Sequence, residues 1–99
     1  MVRRIIWSEN AAIDKMRILE YWYNRIGTKT YSRKLDQQLR QSINFLKNYP
    51  EMGRLMQNSN IRFLVKDHYQ IFYRFTNDEI RILHIWDGRR NPDELVIEG

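Results

Sequence analysis

The sequence predicts an α+β domain in the order β-α-α-β-β-β, with a helical hairpin packed on one face of a four-stranded, mainly antiparallel sheet. Three observations carry that prediction. From Ile61 to Arg90, apolar side chains recur at every second position: Ile61, Phe63, Val65; then Tyr69, Ile71, Tyr73, Phe75; then Ile80, Ile82 and, more loosely, Trp86. Upstream, two stretches repeat apolar residues every three or four positions instead, the signature of helix. Turn residues separate the runs: Lys66 to His68 between the first two strands and Asn77-Asp78 between the next two, where Asn and Asp tolerate left-handed backbone.

Taken in order, Val2 to Trp7 suits a short strand that joins the sheet, with Arg3 and Arg4 at its exposed start. Ser8 offers a helix N-cap, and Glu9 places a carboxylate in the first turn, where it complements the helix dipole. The helix expected over 9–26 aligns Ala12, Met16, Leu19, Tyr23 and Ile26, a stripe widened by Ile18 and Trp22, and Gly27 stops it. A second helix is expected over 29–48, capped by Thr28 or Thr30, with Tyr31, Leu35, Leu39, Ile43 and Leu46 inward; Pro50 closes it by forcing Tyr49 extended. Glu51 to Asn60 reads as a loop with Gly53 as its turn residue, and Asn91-Pro92 ends the last strand before a short tail. The shared core is expected to hold Leu19, Leu39, Ile43, Leu46, Phe63 and Ile71, with the second sheet face partly occluded.

Length and composition bound the function. Ninety-nine residues, 42% hydrophobic and 29% charged, make one soluble domain over 1–99 with one core. No run approaches the ~20 apolar residues of a membrane span, and no signal-peptide pattern opens the chain, so a cytoplasmic location is expected. The absence of cysteine excludes disulfides, thiolate nucleophiles and cysteine metal sites, two histidines, His68 and His84, are too few for a histidine-rich metal site, and no cofactor is implied. The net charge of +5 is uneven: residues 1–60 carry eleven Lys and Arg against five Asp and Glu, residues 61–99 six against seven. Such an excess attracts nucleic acid or an acidic partner at long range, though solvated helix faces account for it equally well.

The order of elements, the loop YPEMGRL (Tyr49–Leu55), the run HYQIFYRF (His68–Phe75), the IRILHIW of the last strand and the closing DGRRNPDEL (Asp87–Leu95) together resemble the RelE/ParE superfamily of bacterial toxins from type II toxin-antitoxin modules. The resemblance implies a cognate antitoxin that wraps and blocks the chain, contact with operator DNA only through that antitoxin, and assembly into a homo-oligomer or a hetero-oligomer with it. It also implies one of two targets. RelE-like members cleave messenger RNA on the ribosome, whereas ParE-like members poison DNA gyrase. Ribonuclease chemistry at a 2′-hydroxyl needs a base, an acid and fixed cations. The RelE-like pattern has an arginine after the aromatic that opens the middle strand, where this chain has Gln70. It has a Tyr or His-Tyr after the last basic residues, where Asn91, Pro92 and Asp93 stand here.

These departures favour a ParE-like gyrase poison that acts by binding. A RelE-like endoribonuclease with an altered residue set, or a degenerate non-toxic member, stays open as an alternative. The nuclease candidates are Arg54, Arg62, Arg81, His84, Arg89, Arg90 and Glu94; the target-binding candidates are Arg89, Arg90 and Arg81. Each has a plain structural alternative. Arg62, Arg74 and Arg81 suit cross-strand surface pairs, and His84, in phase with Ile80 and Ile82, suits a hydrogen-bonded, half-buried histidine. Trp7, Trp22 and Trp86 suit core positions.

Overall fold

The computed structural model describes residues 3–90 together with Leu95. Seven elements follow one another: β1 (Arg4–Trp7), α1 (Glu9–Ile26), α2 (Thr30–Phe45), β2 (Arg54–Leu55), β3 (Arg62–Lys66), β4 (Tyr69–Phe75) and β5 (Glu79–Asp87). They form the expected α+β domain, with both helices on one face of the sheet. The sheet has five strands, not four, in the order β1-β5-β4-β3-β2. The extra strand is the pairing of Arg54 and Leu55 with Phe63 and Arg62, too short to leave an alternation in the sequence. β1 runs parallel to β5, and the other neighbours are antiparallel.

The first helix begins and ends as its residues dictate. Ser8 Oγ accepts from the Ala11 N–H at 3.0 Å, and Gly27, at φ 86°, turns left-handed and donates its N–H to Tyr23 O. The buried stripe is the expected one in part: Leu19, Ile18 and Trp22 pack inward, but Ala11 replaces Ala12 and the rest of the stripe turns outward. Ala11 is fully buried and Ile18 and Trp22 pack against the core, while Met16, Tyr23 and Ile26 are 67%, 42% and 48% exposed. Apolar residues surround most of α1, so its periodicity allowed two phases. The small Ala11 lets the helix approach the sheet, and Trp22 Nε1–H donates to Tyr69 Oη at 2.7 Å. The second helix has no side-chain cap at Lys29, so neither Thr28 nor Thr30 serves, and it ends at Phe45, before the expected 48, in a tightened turn where the Leu46 N–H donates to Ile43 O.

Leu35, Leu39, Ile43 and Leu46 bury against Ile71, Tyr73, Ile80, Ile82 and Ile85, which makes one dry core under the helices. Phe63 is not part of it. Register pairs Phe63 with Phe72 and Leu64 with Ile71, so Leu64 faces the helices while Phe63 joins Phe72, Leu83 and Trp86 on the other face. Met56, Ile61 and Leu95 pack on that second cluster.

Three local devices fix the sheet. In the β3–β4 turn, Asp67 takes φ 54°, as its residue type allows. The β4–β5 turn has no left-handed residue. Thr76 Oγ1 instead accepts from the Asp78 and Glu79 N–H groups at 3.1 and 3.2 Å. Gly53 is not a left-handed turn residue either. It lies where a Cβ would stand 2.6 Å from Tyr73 Oη. Tyr73 Oη accepts from the Gly53 N–H at 2.9 Å and donates to Pro50 O at 2.7 Å, so the loop is pinned to the middle strand. Asn91 to Glu94 and the segment after Leu95, including the expected strand-breaking Asn91-Pro92, lie outside the described residues.

Candidate functional site

The strand that carries most of the candidates, β5, changes phase midway. Tyr73 pairs with Ile82 but Phe72 pairs with His84, which leaves Leu83 as an extra residue, a β-bulge. The bulge lets His84 and Ile85 both lie toward the helices, where Ile80 and Ile82 also point. The start of α1 satisfies the backbone around the bulge. Ser8 Oγ donates to Leu83 O at 2.9 Å, and Asp14 Oδ2 accepts from the Ile85 N–H at 3.0 Å. The same oxygen lies 2.9 Å from His84 Nδ1; a carboxylate oxygen accepts, so that nitrogen carries the hydrogen. The other ring nitrogen, Nε2, is buried and has no hydrogen-bond partner. His84 is thus the half-buried, bonded histidine, held beneath α1 and not presented to solvent.

Beyond the bulge the strand runs out between α1 and the β3–β4 turn. The Gly88 N–H donates to His68 O at 2.7 Å, and the Arg90 N–H closes a turn on Asp87 O at 2.9 Å. Arg89 folds back on Asp87, donating from Nε to Oδ1 at 3.0 Å and from its terminal nitrogen to Oδ2 at 2.8 Å. The Arg89 side-chain bond holds the Asp87 carboxyl below its usual pKa and raises that of the guanidinium. Arg90 instead lays its guanidinium over the Trp86 ring, 4.4 Å from the centroid.

These residues wall a cleft of about 380 Å³. Ile18, Ile85 and Tyr69 line it on the apolar side, Arg89, Arg90 and Asp87 form one rim, and Asp14, Arg17 and Tyr21 of α1 form the other. Tyr69 has a raised pKa, first because it is buried, so it enters the cleft as a neutral hydroxyl. Arg17 and Tyr21 were not among the candidates. Their signal was their spacing: Asp14, Arg17, Ile18 and Tyr21 fall at helical steps along one face of α1. With Asp14 held by the strand and Asp87 by Arg89, the cleft presents cations, a phenol and apolar surface.

The remaining candidates do not join it. Arg54 is exposed on β2, at the opposite edge of the sheet from β1. Arg62 donates to Glu51 O and Gly53 O at 3.1 and 2.8 Å, and so belongs to the loop anchor. Arg81 pairs with Glu79 on its own strand at 3.0 Å, not across the sheet, and lies eight residues before Arg89, roughly 26 Å along an extended strand. Glu94 lies outside the described residues. Trp7 and Trp22 pack on the helix-side core, and Trp86 belongs to the second cluster. Among the described residues no group of three or more His, Asp or Glu could hold a metal ion, and no helix is long and apolar enough to cross a membrane.

A family model for the ParE toxin of type II toxin-antitoxin systems, parDE, matches residues 5–92. A solved structure described as the chromosomal ParDE TA system from P. aeruginosa superposes with a TM-score of 0.73 at 23% identity, covering 85% of this chain and 94% of that one. No curated protein matches the chain.

Proposed function

The chain belongs to the ParE toxin family of type II toxin-antitoxin systems, and from that membership we propose that it poisons DNA gyrase through the cleft at the end of β5 and is neutralised by a cognate antitoxin. One observation carries the choice of target: the ionisable groups a nuclease would use are dispersed or already engaged, while the cleft is equipped to bind. His84 gives its Nδ1 to Asp14 and buries Nε2, so its imidazole is not offered to a scissile phosphate. Arg54, Arg62 and Arg81 lie at three other places. The middle of the open sheet face, where the ribonucleases of the superfamily carry cations, holds Phe72, Leu83 and Trp86 with Leu95 packed on them.

The cleft works as a docking step. Arg17, Arg89 and Arg90 give it positive charge, and Tyr21, 51% exposed, gives it an aromatic anchor beside that charge, a residue pair common in energetic hot spots. The antitoxin takes the outward stripe of α1. Met16, Tyr23 and Ile26 are exposed there, Lys29 lies over the Tyr23 ring at 5.9 Å, and Arg33 borders the same groove with Glu20 and with Asp36, which is paired to Lys15 and Arg40. An acidic amphipathic segment matches that mixture and should bury about 1,600 Å² or more in total. Gyrase as target places the toxin in the cytoplasm, and operator DNA is reached through the antitoxin in the hetero-oligomer.

Induction without antitoxin tests the target. The expected outcome is arrested division with a DNA-damage response while messenger RNA stays intact. Early collapse of translation, with cuts mapping to the ribosomal A site, would instead identify a ribonuclease, and normal growth at full expression would identify a non-toxic member.

A further inference from the structure

The open sheet face has a second charged feature, away from the cleft. Arg74 on β4 and Arg81 on β5 are directly opposite in the register, and side chains of such a pair share a face with Cβ atoms about 5 Å apart. Two like charges so placed repel, and a sheet ordinarily resolves the conflict with an acid on each. Here one acid is supplied. Glu79 binds Arg81 at 3.0 Å, and Arg74 has no hydrogen bond or ion pair among the described residues. On the next strand Arg4, the register partner of Glu79, is exposed and likewise without a partner. Three arginines on three adjacent strands therefore face one carboxylate. Arg74, Arg81 and Glu79 line a hollow of about 220 Å³ with Asn60, Phe75 and Thr76.

We propose that Arg74 and Arg81 form a binding site for a carboxylate of a protein partner, an Asp or Glu side chain that bridges the two guanidinium groups. The register sets both arginines side by side on one face, where a single carboxylate can reach both, and the guanidinium fork suits such a ligand. A single carboxylate also matches the one charge that Arg74 and Arg81 keep between them once Glu79 has neutralised Arg81. Nucleic acid fits less well. A phosphate chain draws its affinity from several contacts in a row, and here an acid sits among three cations with no exposed aromatic of the described open face beside them. Arg74 and Arg81 lie away from the cleft, so carboxylate binding there is separable from toxicity and from gyrase.

A carboxylate site makes an unusual joint demand on one substitution. Arg74→Gln removes a repulsion from the free protein and a ligand from the bound one, so it should raise the melting temperature while weakening binding. The probes are a capped hexaglutamate peptide, inorganic phosphate and a short single-stranded RNA, each titrated at constant ionic strength while the arginine Nε–H resonances are followed. Saturable shifts at Arg74 and Arg81 with hexaglutamate are expected, about tenfold weaker in Arg74→Gln, as losing one charge-assisted hydrogen bond requires. Arg74→Lys should keep the charge but recover little affinity, because the fork is gone. Absence of saturable shifts, tighter binding of phosphate or RNA than of hexaglutamate at these arginines, or a lower melting temperature in Arg74→Gln would each overturn the proposal.

Discussion

Arg62 and Arg89 carry the same group, both were candidates from the sequence, and the fold uses them for opposite purposes. Arg62 lies beside the buried Tyr73, where a loop must be brought onto the sheet and its carbonyls need donors; the guanidinium supplies them to Glu51 O and Gly53 O. Arg89 lies past the end of a strand, braced by its own neighbour Asp87 and turned to a cleft. The anchor region is tied down from within the chain, with Tyr73 and Arg62 bonding the backbone of Pro50, Glu51 and Gly53. The cleft region is braced by the Arg89–Asp87 pair on one wall and carries Arg17 and Tyr21 on the other. What a cation does is set by which unsatisfied groups surround it, and the sequence does not display those neighbours.

The contrast can be broken by substitution. The largest effect belongs to the core beneath both regions: Leu39→Ala, at a position with 0% exposure, should cost about 2 to 5 kcal/mol in denaturant melting. A cost under about 1 kcal/mol would mean that α2 does not bury this face. Next comes the anchor. Tyr73→Phe keeps the ring but strands the Gly53 N–H and the Pro50 carbonyl, and should cost about 1 to 3 kcal/mol. Gly53→Ala should cost a similar amount, about 1 to 3 kcal/mol, because its Cβ collides with the same hydroxyl. Neither change should alter toxicity once the folded fraction is equalised.

Titration separates the regions more finely. Burial raises the pKa of Tyr73 above its ordinary 10.0, so the neutral phenol is favoured in the folded chain. That contribution is complete below pH 10.0 and is lost as pH rises through the raised folded value. In alkaline melting curves Tyr73→Phe should therefore flatten the loss of stability seen in the parent, leaving the contribution of Tyr69, which shifts the same way. The smallest effect lies in the cleft. Arg89 holds Asp87 below its ordinary 3.8, so its stabilisation is present above that value and is lost as pH falls through the lower folded one. Acid titration followed by the Arg89 Nε–H resonance should show release there while the anchor stays intact.

How much of this was written in the sequence can be judged element by element. The meander of β3, β4 and β5 was legible because strands half covered by helices must alternate, and Gly27 was legible because only its φ of 86° closes that helix cheaply. The phase of α1 was not, since Met16, Tyr23 and Ile26 make as good a stripe as Ala11, Ile18 and Trp22, and only the sheet chooses between them. The bulge at Leu83 was hidden too, because one extra residue leaves the apolar pattern nearly unchanged while bringing the Ile85 N–H as well as His84 to Asp14. Arg89 and Arg90 could be read as a basic step at a strand end. Their partners across the cleft, Arg17 and Tyr21, lie about seventy positions earlier and meet them only through the fold.

The gyrase reading makes the cleft a binding site without chemistry of its own. The most direct measurement incubates the purified chain with purified DNA gyrase and supercoiled plasmid, beside the Arg89→Ala/Arg90→Ala double variant at matched melting temperature. The account predicts that the parent chain accumulates gyrase-linked double-strand breaks, seen as linear plasmid after protein digestion, and that the double variant does not. Intact plasmid with the parent chain, together with cleaved messenger RNA when the same preparation is added to translating ribosomes, would contradict it.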